Sequence, residues 1–473
     1  MAQNEFVSRR EFLRVGALGA AGGLLAACAP QTGQPSSADS GGEASAPAAA
    51  PEDQEGVQWG LQYDPHVATY ERIAELVQSE TGYSVRIEPQ AWPLQTKLIA
   101  AMSAGTHPDV ICMMGKVSIP LYIQQGLLPL SDVVFDAVGV VPNEAFQEES
   151  IEAYSWGGEI YGVPTEANLV GSMVCVPTQD VDALGLADLY PPTNGDWIFD
   201  SYQQMWELAE ALHVEEDGRV VKWGLSSQGW DNQSYLGIVR TLLAGEGTDW
   251  WDLENKQFNI DSEAGVEAMR LFAETPVQMG IETELDENQF NTALAGKIGI
   301  ARGISNPALQ QGRDEGVYYE LTAAPKVLPD ELPTFVGEAG WGFAAPSNTG
   351  NRDFSIAYLQ TMCTHEGQRE YAKIYGGIGA PAWKGLIGKY DHYSDPDPEG
   401  PQVQAAKVME NLGPITRYYG EGFGYPSEVD GIGASVCSEV RLGTLTASEA
   451  VKSYQERCEE QYKVYLDDIA ALS

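Results

Sequence analysis

Between Val57 and Met113 the apolar residues switch repeatedly between two spacings, and that alternation constrains the fold more tightly than any other feature. Val57, Trp59 and Leu61 alternate with polar or small residues, as a short strand would. Tyr70, Ile73, Ala74 and Val77 follow at helical spacing and run out near Gly82. Val85-Arg86-Ile87 predicts a second strand and Thr96 to Ser103 a second helix. Val110 to Met113, after Pro108-Asp109, predicts a third strand. Strands alternating with helices imply an α/β sheet. Ligands of open α/β sheets sit beyond the carboxyl ends of the strands, so the segments after Leu61 and Met113 are candidate site loops, carrying Tyr63, Asp64 and Lys116.

Later segments give local signals of the same kind. Phe258-Asn259-Ile260 runs into Asp261-Ser262-Glu263, a strand giving way to a capped helix. Thr446-x-x-Glu449 is a capping box opening a helix whose apolar face is Ala447, Ala450, Val451, Tyr454 and Cys458.

A chain of 473 residues is too long for one compact core, so two or three folding units are expected. After the N-terminus no apolar run reaches the ~18 residues that a spanning helix needs. The net charge of −41, from 27 Lys+Arg against 68 Asp+Glu, repels phosphate backbones and excludes nucleic acid as a partner. The six cysteines show no C-x-x-C spacing and the five histidines no metal-ligand spacing, so neither metal nor cofactor is expected. Cys437 and Cys458 could bridge, with buried free thiols as the alternative.

Ser8-Arg9-Arg10-Glu11-Phe12-Leu13 and the uncharged run Val15 to Ala27 read as a signal peptide over residues 1–27, and the paired arginines resemble a twin-arginine export signal. Leu25-Ala26-Ala27-Cys28 resembles a bacterial lipobox, in which the Cys28 thiol is acylated. Residues 28–56 are rich in Ala, Pro, Ser and Gly and read as a flexible tether. The expected location is extracytoplasmic, lipid-anchored to the outer face of the cytoplasmic membrane.

Gly158-Glu159-Ile160-Tyr161-Gly162-Val163-Pro164 resembles the extracellular solute-binding proteins of ABC importers, in particular the maltose-binding-like, sugar-binding branch. Gly105-Thr106-His107-Pro108-Asp109-Val110-Ile111 and Gly126-Leu127-Leu128-Pro129-Leu130 are similar to motifs of that family in the same order. So are Phe290 to Ala301 and Gly337 to Pro346. Val174-Cys175-Val176-Pro177 departs from the family's pattern. The resemblance implies a two-lobe periplasmic-binding-protein-like fold with hinge strands near Thr165, Gly340 and Lys389 and a ligand cleft between the lobes. Lobe 1 would comprise 57–164 and 340–388, and lobe 2 165–339 and 389–473. It further implies a monomer that captures a mono- or oligosaccharide and delivers it to ABC permease subunits.

Sugar sites combine aromatic platforms with carboxylates, amides and guanidinium groups that hold hydroxyls in fixed directions. Trp341 stands between two glycines, which would leave its indole face uncovered. Trp230 and Asp231 lie in a turn-rich stretch after the strand Trp223 to Ser226. Trp383 follows Gly379-Ala380-Pro381, and Tyr425 sits in a Gly-rich loop. Glu166 follows the hinge motif, a position from which relatives bind sugar hydroxyls. Arg302 ends a strand beside Gly303, where its planar fork could grip vicinal hydroxyls. Each of these has packing, a surface acid or an ordinary salt bridge as its alternative.

Catalytic motifs are missing. Gly115-Lys116 and Gly296-Lys297 are not followed by Ser or Thr, His365-Glu366 has no second His four residues on, and Gly-x-Ser-x-Gly does not occur. Asp395-x-Asp397-x-Glu399-Gly400 begins like a calcium loop, but prolines interrupt it and Ala406 stands where the closing Glu belongs. The expectation is a binding protein and not an enzyme. The competing readings are a surface polysaccharide hydrolase or lyase, since two of the many acids could sit at glycosidase spacing, and a binder of another small solute such as a peptide.

Overall fold

The computed structural model describes residues 54–471, except 63, 92–93, 116–125, 168–172, 192–196, 229–230, 253, 286–288, 305, 334, 338–339, 376–379, 387–399, 411–414 and 418–424. The chain divides into two units, Met1–Ala48 and Ala49–Ser473, and all described residues belong to the second. The signal peptide, Cys28, the calcium-like run and Lys389 lie outside the described residues.

The first sheet is built from β1 (Glu55–Leu61), β2 (Ser84–Gln90), β3 (Val110–Met114), β4 (Val163–Pro164) and, far along the chain, β10 (Trp341–Ala344). The strand order is β2-β1-β3-β10-β4. β1 is parallel to β2, with Glu55 opposite Ser84 and Leu61 opposite Gln90, and parallel to β3. The tether therefore ends earlier than residue 56, because the β1–β2 register takes Glu55 and Gly56 into the sheet. Helices α1 (Asp64–Thr81) and α2 (Leu94–Ala104) follow β1 and β2, burying Tyr70, Ile73 and Val77 from one and Leu94 and Leu98 from the other. Along β1 the more deeply buried face is Gly56, Gln58 and Gly60, not Val57, Trp59 and Leu61. Helices press close on that side, and the Tyr358 hydroxyl donates to Gln58 Oε1 at 2.8 Å.

The second sheet is built from β5 (Met173–Pro177), β6 (Val214–Glu216), β7 (Arg219–Ser226), β8 (Ile298–Arg302) and β9 (Tyr319–Ala323), ordered β9-β5-β8-β7-β6. β7 and β8 are parallel, with Ser226 opposite Ala301, and β5 runs antiparallel to both β8 and β9. All five residues of β5 are buried, as expected of an interior strand covered on both faces. Helix α3 (Tyr202–Leu212), opened by the Ser201 cap, covers this sheet together with α4 (Asp231–Ala244), α5 (Glu263–Met269), α7 (Pro426–Arg441) and α8 (Ala447–Ala470). Ser262 caps α5, and Thr446 with Glu449 forms the capping box of α8.

The near end of α8 buries Ala447, Ala450, Val451, Tyr454 and Cys458 in the second core. Its 24 residues span about 36 Å, and at the far end Tyr465 enters the first core, edge-on to Trp156 at 6.0 Å. The helix expected to lie wholly in the second lobe thus straps both. Cys437 and Cys458 are free and buried, so the possible bridge does not form.

Candidate functional site

Each sheet has a carboxyl edge, and the chain runs from one edge to the other. Leu61 and Met114 end β1 and β3 at the carboxyl edge of the first sheet, and β10, being antiparallel, begins at that edge with Trp341 opposite Met114. In the second sheet Ser226 and Arg302 end β7 and β8 at one edge, where β5 begins at Met173 and β9 ends at Ala323. The chain leaves the first edge after Pro164 and reaches the second at Met173. It returns from Ala323 to Trp341, and crosses a third time after β11 (Ala380–Pro381) towards α6 (Pro401–Glu410), which packs on β9. Residues 165–172 can span no more than about 30 Å even fully extended, which sets an upper limit on the separation of the two carboxyl edges.

The three crossings are tied together at Thr165. Its N–H and its hydroxyl both donate to the Trp341 carbonyl at 2.9 Å, and its own carbonyl accepts from the Ala382 N–H at 3.2 Å. Next to it Glu166 is 1 % exposed and pairs across β11 with Pro381. Glu166 is therefore not a surface acid: its charge reaches the buried Cys112 thiol and the Tyr371 hydroxyl. Gly340 has φ +70°, and a Cβ there would lie 2.6 Å from Glu166 Cγ and 2.7 Å from the Glu166 carbonyl oxygen. No side chain fits between the crossings at this point.

Trp341 sits at the cleft edge, but its indole is only 3 % exposed and packs into the first core, edge-on to His66 at 5.2 Å. The expectation of an uncovered face fails because α1 brings His66 over the ring. His66 shares a hydrogen bond with the Tyr70 hydroxyl at 3.1 Å, and burial pulls its imidazole down to about 3. It is held neutral at physiological pH.

On the second lobe Arg302 is buried. Its Nη1 donates to the Tyr202 hydroxyl at 3.3 Å, its guanidinium lies over the Phe272 ring at 5.1 Å, and its Nε has no hydrogen-bond partner among the described residues. Gln289 Nε2 donates to the carbonyls of both Ser226 and Arg302, clipping together the ends of the two site strands. Asp231 opens α4 and is engaged from behind by Arg441, the last residue of α7. Arg441 Nη2 also donates to Ser227 Oγ at 3.1 Å, and its Nε lies 3.4 Å from Glu282. Glu282 Oε1 accepts from both the N–H and the hydroxyl of Ser227 at 2.6 Å. Burial pushes the Glu282 carboxyl up, against the pull of Arg441. Asp231 thus takes part in an internal ion pair.

Trp383 and Tyr425 are partly buried against the first core. Trp383 lies edge-on to Phe146 at 5.0 Å and to His365 at 6.0 Å. The Tyr425 hydroxyl donates to Asp468 at 2.6 Å, with the ring against Tyr465. Both residues keep part of their surface exposed. The backbone of Asp64 begins α1 at the first edge, whereas Tyr63, Lys116 and Trp230 lie outside the described residues. Sequence reasoning missed Ser227, Glu282, Gln289 and Arg441, which come from four separate segments and share no local pattern. Among the described residues no cluster of three His, Cys, Asp or Glu side chains could hold a metal ion, and no helix is long and apolar enough to cross a membrane.

The same fold recurs in solved structures of low sequence identity. An ABC substrate-binding protein from Listeria monocytogenes in complex with cycloalternan aligns with a TM-score of 0.67 at 13% identity, over 86% of this chain and 99% of that one. The GacH receptor of Streptomyces glaucescens, solved unliganded and with acarbose, gives 0.66 at 18% identity over 87% and 99%. The maltose/maltodextrin-binding domain MalE from Bdellovibrio bacteriovorus bound to maltotriose gives 0.63 at 14% identity over 86% and 100%. Comparison with curated proteins returns no match. The family model for bacterial extracellular solute-binding proteins matches residues 71–387, which takes in the second sheet, all of the first except β1, and the first two crossings. This two-lobed, extracytoplasmic α/β chain therefore belongs to the bacterial extracellular solute-binding protein family.

Proposed function

We propose that this chain is the substrate-binding component of an ABC importer, that it captures a mono- or oligosaccharide between its lobes without turning it over, and that Cys28 anchors it by lipid to the outer face of the membrane. The observation that carries the reading is the direct joining of two carboxyl strand edges by three crossings knotted at Thr165. A solute touching both edges binds the closed arrangement better than the open one and so shifts the population toward it. Permease subunits would then recognise the closed monomer. The carbohydrate class is supported by the three structural relatives above, solved with cycloalternan, acarbose and maltotriose. Trp341 at the first edge, Arg302 at the second and Glu166 between them are the candidate contacts, and Tyr63, Asp64, Lys116 and Trp230 are candidates by their place in the sequence alone.

A melting screen over mono- and oligosaccharides, polyols and peptides tests the reading. Ligand at ~100 times its dissociation constant adds roughly 2.7 kcal/mol of stability, so a carbohydrate hit is expected. Release of shortened products from oligosaccharides would overturn the non-catalytic part, and a response to peptides alone would overturn the ligand class. Labelling with a fatty acid in the producing cells, lost in Cys28→Ala, tests the anchor.

A further inference from the structure

We infer that Gln147 is a positioning residue: it seats the third crossing against the first lobe and thereby fixes Glu166, the candidate ligand contact paired with that crossing; this rests on the carbohydrate-capture reading above. The third crossing starts from β11, which has two residues, Ala380 and Pro381, and forms a two-stranded sheet with Glu166–Ala167. Proline has no N–H to give to a ladder, and a strand pair this short is not stable by itself. Gln147 supplies what the ladder lacks. Its backbone N–H donates to the Ala382 carbonyl at 2.8 Å and its side-chain Nε2 to the Pro381 carbonyl at 3.0 Å, so two different atoms take the carbonyls of successive residues. Gln147 is itself buried, and Phe146 before it sits wholly inside the first core, which anchors the grip to the first lobe.

The place of Gln147 in the chain does not call for this contact. It stands at the N-cap of the short helix Glu148–Glu152, a position usually held by Ser, Thr, Asp or Asn, whose side chains accept from the first turn. The Gln147 side chain makes no such bond and reaches instead to a carbonyl 234 positions along the chain. Glu166 is held between two crossings. On one side stands Gly340, where a Cβ would lie 2.7 Å from the Glu166 carbonyl oxygen, and that side is fixed by the first sheet through the pairing of Trp341 with Met114. On the other stands Pro381, opposite Glu166 in the two-residue pairing. That second side has no large sheet behind it, so the register of Glu166 there depends on what Gln147 holds in place.

Hydrogen exchange of the ligand-free protein tests the grip directly. Gln147→Met keeps an unbranched side chain of similar length but removes the donor, which leaves the Pro381 carbonyl without that bond. The Ala382 amide, which donates to the Thr165 carbonyl, should exchange about tenfold faster, while the Thr165 amide, which donates to the Trp341 carbonyl, keeps its wild-type rate. Unchanged exchange at Ala382, or equal acceleration at both amides, overturns the proposal. Gln147→Glu, whose carboxylate cannot donate, gives the same reading if Gln147→Met fails to fold. With maltotriose as the probe, or the strongest saccharide of the melting screen where maltotriose gives no response, Gln147→Met should weaken binding about tenfold in wild type. It should have no effect in a Glu166→Ala background, or in Glu166→Gln if the alanine variant does not fold, since coupled residues are not additive. Equal weakening in both backgrounds overturns the link to Glu166. If no carbohydrate shifts the melting of the wild type, the functional reading falls, while the exchange rates still decide whether Gln147 seats the crossing.

Discussion

Replacing Gly340 by alanine isolates the closeness of the crossings. Two costs add. A residue with a Cβ held in the left-handed region loses about 1–2 kcal/mol. The new methyl would then stand 2.6 Å from Glu166 Cγ and 2.7 Å from the Glu166 carbonyl oxygen, and the backbone atom cannot swing away, so overpacking adds about 1–3 kcal/mol. The expected total is about 2–5 kcal/mol. Gly105 supplies the control: it has φ +69°, and a methyl placed there would meet nothing within 4 Å, so Gly105→Ala should show only the conformational cost. Urea unfolding of the two variants, extrapolated to water, should differ by about 1–3 kcal/mol. If Gly340→Ala costs no more than Gly105→Ala, the crossings are not rigidly held against Glu166 and a fixed clasp at Thr165 is refuted.

Three further outcomes are expected. Trp341→Ala should cost about 3–5 kcal/mol of stability, because it empties a packed site, and should weaken carbohydrate binding at least about tenfold if the ring contributes to the cleft; unchanged affinity removes it from the site. His66 is held below its unfolded pKa, so its stabilising contribution is complete above pH 6.5 and is lost as pH falls towards 3. Between pH 6.5 and 5 wild type should therefore lose about 1.5–2 kcal/mol more than His66→Gln in urea titrations, and equal losses would contradict the burial of a neutral imidazole. Burial pushes the Cys175 and Cys363 thiols up to about 12 and those of Cys112, Cys437 and Cys458 in the same direction. None of the five should react with a thiol reagent in the native protein and all should react after unfolding; native reactivity would show that one of them is reachable.

Much of the fold was legible because its signals are local. The spacing of Tyr70, Ile73 and Val77 marks a helix wherever that segment stands, and the Thr446–Glu449 box needs only its own four residues. Parts of the site were legible for a related reason: an α/β order puts ligands beyond the carboxyl strand ends, and the segment starting at Asp64 and the ends at Ser226 and Arg302 do lie there. What failed was the inference of exposure. Glycines beside Trp341 suggest an open ring, yet whether the ring is covered depends on His66, 275 positions away. Trp383 and Tyr425 likewise meet neighbours far along the chain, Phe146 and the end of α8, while keeping part of their surface exposed.

The order of strands and helices, the caps, and the positions at which the chain must turn at a strand end were all written in the residues themselves, since each follows from neighbours within one or two turns of each other. Which groups meet was settled by the folded arrangement alone: Thr165 with Trp341 and Ala382, Arg441 with Ser227 and Asp231, and α8 with two cores at once. Those contacts depend on distances in space between segments up to hundreds of residues apart, and no period or spacing along the chain encodes such a distance.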